Sequence, residues 1–166
     1  MYLIISATNR HDSYTEKVAK EYQRLFKEEN IDAQILSLVN LDVLQKNEKL
    51  TQTEQQFLIP AEKIIFIMPE YNGSYPGVLK ALIDISDVRK CWWHKKALLT
   101  GVSTGRAGNL RGMEHITGVL NHMKVIVHPN KLPLSGIDTL IDEFGSINNA
   151  PALMSIKQQL NEFIKF

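Results

Sequence analysis

The sequence predicts an α/β protein, one domain over residues 1–166, with a five-stranded parallel sheet between two layers of helices. Three observations lead there. Five short apolar runs recur along the chain, and their hydrophobicity is continuous rather than alternating, as in strands buried on both faces. Apolar stripes at helix spacing lie between most of them. The length of 166 residues suits one core and is short for two. Strand alternating with helix implies right-handed βαβ crossovers. Five strands with a helix after most of them fit the order 2-1-3-4-5 best.

Tyr2–Ser6 is the first strand. The helix behind it carries Val18, Ala19, Tyr22, Leu25 and Phe26 on one stripe, with Thr15 as its expected N-cap. Ala33–Leu38 is the second strand. The segment Asp42–Ile59 is polar and Gln-rich, with a short helix expected over Thr53–Leu58. Ile64–Met68 is the third strand, and Val78, Leu79, Leu82 and Ile83 mark the helix after it. Ala97–Val102 is the fourth, followed by a weaker stripe of Leu110, Met113, Thr117 and Leu120. Val125–Val127 is the fifth, and Leu153, Ile156, Leu160, Phe163 and Ile164 form a clean terminal helix.

Composition excludes several classes. With 44% hydrophobic and 22% charged residues, the chain is an ordinary globular protein. A formal net charge of +1 argues against a dedicated nucleic-acid surface, and the pair Lys95-Lys96 is too short to make a basic block. No apolar run is long enough to cross a membrane. The first strand begins at Tyr2, which leaves no room for a signal peptide, and the single Cys91 forms no internal disulfide. A cytoplasmic location is therefore expected.

In the order 2-1-3-4-5 the loops after strands one, three and four converge on one crevice beyond the carboxyl ends of the strands. These are the unusual loops here. The first, Ala7 to Thr15, holds hydroxyls, an amide and a guanidinium before a helix N-terminus. Unpaired first-turn N–H groups and the helix dipole favour an anion there. Thr8, Ser13 and Thr15 can donate to phosphate oxygens, and Arg10 can add a charge-assisted bond. Ser13 or Thr15 would equally serve as a plain helix cap. A P-loop is excluded because GxxxxGK[ST] is absent, and no glycine precedes Gly73 to make a Rossmann fingerprint.

The second loop reads Pro69-Glu70-Tyr71-Asn72-Gly73-Ser74-Tyr75-Pro76-Gly77. Pro69 stops the strand, while Gly73 and Gly77 permit turns closed to other residues. It presents backbone amides from Glu70 to Gly73, a phenol ring and a carboxamide. The third loop runs from Gly101 to Asn109, and Gly105 and Gly108 would let the backbone approach a planar ligand. Its spacing is not that of a short-chain dehydrogenase, because it follows strand four and no Tyr-x-x-x-Lys pair comes after it.

Thr8-Asn9-Arg10-x-x-Ser13, the run from Pro69 to Lys80 with Ala81-Leu82-Ile83-Asp84, and the Ser103–Gly108 loop together resemble the NADPH-dependent FMN reductase family. The likeness extends from Tyr2 to about Leu134. It implies a flavodoxin-like fold, FMN as cofactor and NAD(P)H as electron donor. It also implies hydride transfer to flavin N5 and onward transfer to free flavin, a quinone, an azo dye or a similar small acceptor. The residues implied for the FMN phosphate are Thr8, Asn9, Arg10, Ser13 and Thr15. Those implied for the ribityl chain and ring are Pro69, Glu70, Tyr71, Asn72, Gly73, Ser103, Thr104, Gly105, Arg106 and Gly108. Family members are usually dimers or tetramers, and the helix from Val78 to Ser86 is the expected contact. Two positions depart from the pattern: Ala7 stands where the family usually has glycine, and Asn109 where it often has a second consecutive glycine.

The flavin carries the redox chemistry in such a protein, so no side chain is assigned as acid or base. The five His show no metal-ligand spacing. Trp92-Trp93 would either pack at a sheet end or cover a ligand or an oligomer interface, and Cys91 reads as a buried small hydrophobe. A flavodoxin-type electron carrier is the alternative, although such carriers tend to be strongly acidic. A receiver domain is excluded, because Thr8-Asn9-Arg10 and Met68-Pro69 occupy the places where its acidic residues would stand.

Overall fold

The computed structural model describes residues 1–166. Four of the apolar runs become the strands β1 (Tyr2–Ser6), β2 (Ala33–Ser37), β3 (Lys63–Pro69) and β4 (Lys96–Val102), all paired in parallel in the order β2-β1-β3-β4. Two-sided burial explains their continuous hydrophobicity. Leu3 and Ile5 of β1 enter one core and Ile4 the other; Ile64 and Phe66 of β3 oppose Ile65 and Ile67 in the same way.

The helices divide between those two cores. α1 (Tyr14–Glu28) and α6 (Ala150–Lys165) cover one face. α2 (Glu48–Thr53), α3 (Gly77–Ile85), the single turn α4 (Val88–Cys91) and α5 (Leu110–His122) cover the other. The α1 stripe is buried at every expected position, from Val18 to Phe26. Its cap is Ser13 and not Thr15: Ser13 is extended and its hydroxyl accepts from the Glu16 N–H, which places Thr15 inside the first turn. On α5 the buried residues are Gly112, Met113, Ile116 and Leu120, while Leu110 is half exposed.

The Gln-rich segment holds more helix than expected. Asn47 caps α2, which runs directly into a π-helical turn over Glu54–Leu58. The ammonium of Lys95, itself buried, donates to the carbonyls of Leu58 and Ile59 at the end of that turn. Beside it the Cys91 thiol is buried, and burial pushes its pKa up to about 11, so it stays protonated at neutral pH.

At the outer edge a fifth strand completes the expected order 2-1-3-4-5, and one further short strand is added beyond expectation. Two short segments share the fifth position: β5 (Ile126–Val127) pairs with Lys96–Ala97, and β6 (Leu132–Leu134) pairs with Thr100–Val102. Pro129 lies in the break and Pro133 within β6. Proline lacks an N–H for a ladder, so both belong at an edge. Gln159 of α6 bridges the break, donating Nε2 to the carbonyls of Leu99 at 3.1 Å and Asn130 at 2.8 Å. Its Oε1 accepts from the buried Tyr22 hydroxyl at 2.7 Å and from Thr100 Oγ1 at 3.1 Å.

Candidate functional site

The parallel strands release the loops after β1, β3 and β4 at the same end of the sheet, where open α/β folds bind ligands. Here the three loops enclose a cleft of about 610 Å³. That volume falls within the roughly 300–1,000 Å³ of small-molecule sites.

Loop one begins with Thr8, which is fully buried. Its hydroxyl is 2.6 Å from the Tyr71 hydroxyl and accepts from the Arg10 N–H at 3.2 Å. The Arg10 guanidinium lies 4.1 Å from the centre of the Tyr71 ring, within cation–π range. Beyond Arg10, the N–H groups of His11, Asp12, Ser13, Tyr14 and Thr15 donate to no acceptor in the protein. They lead into α1, whose dipole adds partial positive charge at that end.

Loop two is a tight hairpin. Tyr71 and Ser74 exchange backbone bonds of 2.9 and 3.1 Å. Asn72 and Gly73 both take positive φ, at 52° and 75°, the requirement of a type I′ turn. Gly77 uses no such freedom: a Cβ there meets nothing, and Gly77 simply opens α3. The expected row of available amides is shorter than anticipated. The Glu70 N–H is taken by the Val102 carbonyl and that of Tyr71 by Ser74, which leaves Asn72 and Gly73.

Loop three is braced from below. Asn109 sits in the left-handed region with φ 60° and is fully buried. Its Nδ2 donates to the carbonyls of Met68 and Pro69 at 3.1 and 2.9 Å, and its N–H donates to the Glu70 carboxylate at 3.2 Å. Ser103 Oγ donates to the Gly105 carbonyl and accepts from the Gly108 N–H. Between these anchors the N–H groups of Thr104, Gly105, Arg106 and Ala107 have no acceptor in the protein, and a Cβ on Gly105 would meet open space.

Residues 2–138 match the sequence profile of the NADPH-dependent FMN reductase family. The chain belongs to that family. It is accordingly an FMN-binding oxidoreductase that draws electrons from NAD(P)H. A 2-hydroxy-1,4-benzoquinone reductase of a Burkholderia species is 24% identical over 152 residues, spanning 87% of this chain and 83% of that protein. An NAD(P)H-dependent FMN reductase of Pseudomonas aeruginosa is 33% identical over 105 residues, spanning 60% of this chain and 56% of that protein. Among solved structures, the flavoenzyme NAD(P)H:(acceptor) oxidoreductase FerB of Paracoccus denitrificans shares the fold. Its TM-score is 0.80 at 21% identity, and the match covers 99% of this chain and 94% of that one.

The donor set of this FMN reductase family member suits its cofactor. A run of amides at a helix N-terminus matches a phosphate, and two further runs on the adjacent loops match the acceptor atoms along the edge of a flavin ring. Of the residues expected in the site, Arg10, Ser13, Thr15, Pro69 to Gly73 and Ser103 to Arg106 line the cleft. Three do not. Thr8 is buried with its hydroxyl engaged by Tyr71. Asn9 is exposed on a separate hollow with Leu38, Asn40 and Gly77. Gly108 is buried, and a Cβ on it would stand 2.5 Å from Pro133 Cβ, so its role is packing rather than approach to a ligand.

Other lining residues were not anticipated. His11, Asp12 and Tyr14 belong to the amide run of loop one, and Ile137 comes from a 3-10 turn (Ile137–Thr139) beyond β6. That turn is stitched to loop three by the Gly136 N–H on the Gly105 carbonyl and the Ile137 N–H on the Ser103 carbonyl. The signal for loop one was the unbroken polar stretch itself; a strand ending at Val127 hid the other. Trp92 is buried against Phe66 and donates to Ser86 Oγ at 2.8 Å. It and Trp93 precede the start of β4, at the end of the sheet opposite the cleft, so neither covers a ligand there.

Proposed function

We propose that this FMN reductase family member seats FMN in the cleft and passes electrons from NAD(P)H to a small quinone-class acceptor. One observation carries the reading: three separate runs of unpartnered backbone N–H groups open onto the same cleft. When bound, FMN supplies hydride acceptance at N5 from the nicotinamide and onward donation of electrons.

The amides of His11 to Thr15, with the Ser13 hydroxyl, would bind the phosphate. Those of Asn72, Gly73 and Thr104 to Ala107 would receive the ring edge. Glu70 acts through Asn109, tying loop two to loop three and so fixing the distance between the two walls. Tyr71, held by Thr8 at its hydroxyl and by Arg10 over its ring, would present the remainder of that ring to the ligand. No side chain is asked to move a proton. The name of the Burkholderia relative supports a quinone among the acceptors. The protein would act as a homo-oligomer through the outer face of α3, in a reducing cytoplasm that suits the lone thiol of Cys91.

The test is the visible spectrum of purified protein loaded with FMN and desalted, followed by anaerobic NADPH and then a benzoquinone. Retained yellow absorbance that NADPH bleaches and quinone restores is the expected result. Colour that NADPH cannot bleach would indicate a flavodoxin-type carrier. If no colour is retained and added FMN supports no NAD(P)H oxidation, the reading fails.

A further inference from the structure

Thr8 touches both halves of the cleft without facing into it. Its buried hydroxyl accepts from the Arg10 N–H at 3.2 Å, which sets the turn leading to the amide run of His11 to Thr15. The same hydroxyl is 2.6 Å from the hydroxyl of Tyr71, 63 residues away in sequence. Arg10 then doubles the connection, with its guanidinium 4.1 Å from the centre of the Tyr71 ring. Tyr71 is in turn paired with Ser74 through both backbone groups, so the hairpin that carries the amides of Asn72 and Gly73 moves with it.

We infer that Thr8, Arg10 and Tyr71 form a latch through which a phosphate bound on loop one positions the ring-binding hairpin of loop two. The inference rests on the proposed seat of FMN in the cleft. An anion on the amides of residues 11–15 fixes the loop that starts at Thr8 and Arg10. Fixing those two residues fixes Tyr71 and, with it, the hairpin. Coupling of this kind is reciprocal: phosphate raises the affinity for the ring as much as the ring raises the affinity for phosphate. FMN gains both, whereas riboflavin, which has the ring and no phosphate, orders loop two unaided. Thr8 is thus a positioning residue, and its bond to the Tyr71 hydroxyl sets how strongly the protein prefers the phosphorylated flavin.

The experiment is titration of FMN and of riboflavin, followed by quenching of flavin fluorescence. The proteins are wild type, Thr8→Val, Tyr71→Phe, the double variant and Thr8→Ser, with thermal unfolding as the control for folding. Loss of one hydroxyl pair should lower the FMN-to-riboflavin affinity ratio by about three- to tenfold in either single variant. The double variant should lose no more than either single one, and Thr8→Ser should restore the ratio. Tyr71→Phe keeps the ring in place and carries the test alone if Thr8→Val does not fold. Equal weakening of both flavins, an unchanged ratio, or single effects that multiply in the double variant would each overturn the latch alone. A wild-type protein that binds neither flavin overturns the latch together with the seat it rests on.

Discussion

Two glycines of loop three look alike in the sequence and behave oppositely in the fold. Gly108 has φ +54°, and a Cβ on it would lie 2.5 Å from Pro133 Cβ and 2.8 Å from Pro133 backbone atoms. Gly105, three residues earlier, has no neighbour within 4 Å of where its Cβ would be and no positive φ. Left-handed strain and a clash with backbone add, so Gly108→Ala should destabilise the protein by roughly 2–4 kcal/mol. Gly105→Ala should stay within about 1 kcal/mol of wild type. Urea denaturation separates them, and equal midpoints for the two variants would show that loop three relaxes around Gly108. At this scale the sequence was partly legible. The tolerance of Asn109 for the left-handed region is a property of its short polar side chain, and Asn109 does adopt it at φ 60°. That Gly108 packs on Pro133, or that the Thr8 hydroxyl meets Tyr71, depends on partners 25 and 63 residues away, which no local pattern encodes.

Elements were readable wherever their buried face is apolar, and obscure wherever polar groups do the burying. The α1 stripe announced itself through five apolar residues. The helical segment from Glu48 to Leu58 was read only in its second half, over Thr53–Leu58, because its buried positions are Leu50, Thr53, Glu54 and Leu58, half of them polar. The Glu54 carboxylate is held by the Asp87 N–H and Lys46 at 2.9 Å each, partners remote from any helical repeat. At the outer edge β5 was legible as the run ending at Val127, whereas β6 was not: it has three residues, one of them Pro133, too few for a period. What substitutes for a continuous edge strand is Gln159, which joins α6 to Leu99, Asn130, Tyr22 and Thr100. Burial pushes the Tyr22 phenol up, so it keeps its proton and donates to Gln159. Replacing Gln159 by Leu would leave two carbonyls short of a donor, and the Tyr22 and Thr100 hydroxyls, 2.8 Å apart, would have one acceptor between them for two protons. Chemical denaturation should show a loss of about 2–4 kcal/mol. A loss below about 1 kcal/mol would mean that α6 is held by Ile156, Leu160 and Phe163 alone.

For the whole molecule, the order of the strands converts three separate stretches of sequence into one site. Each loop by itself has an ordinary explanation as a cap or a turn, and only the adjacency of β1, β3 and β4 gives the three amide runs a common ligand. That adjacency was legible because continuous apolar runs restrict the sheet to a parallel, doubly covered form. The same geometry predicts how the molecule responds to FMN. The loops are anchored in the centre of the sheet, whereas Trp93, Lys124 and the start of β4 lie at the far end. A ligand held by all three loops closes them together without touching that end. FMN at about one hundred times its dissociation constant should stabilise the fold by about 2.7 kcal/mol. Amide exchange should slow at residues 11–15, 72–73 and 104–107, the groups that have no acceptor of their own, and at residues 88–96 by no more than the global stabilisation accounts for. Exchange that slows at 11–15 alone would place the phosphate on loop one and leave the ring outside the other two walls. Uniform slowing along the chain would report global stabilisation with no contact at those amides, and the three-loop seat would have to be abandoned.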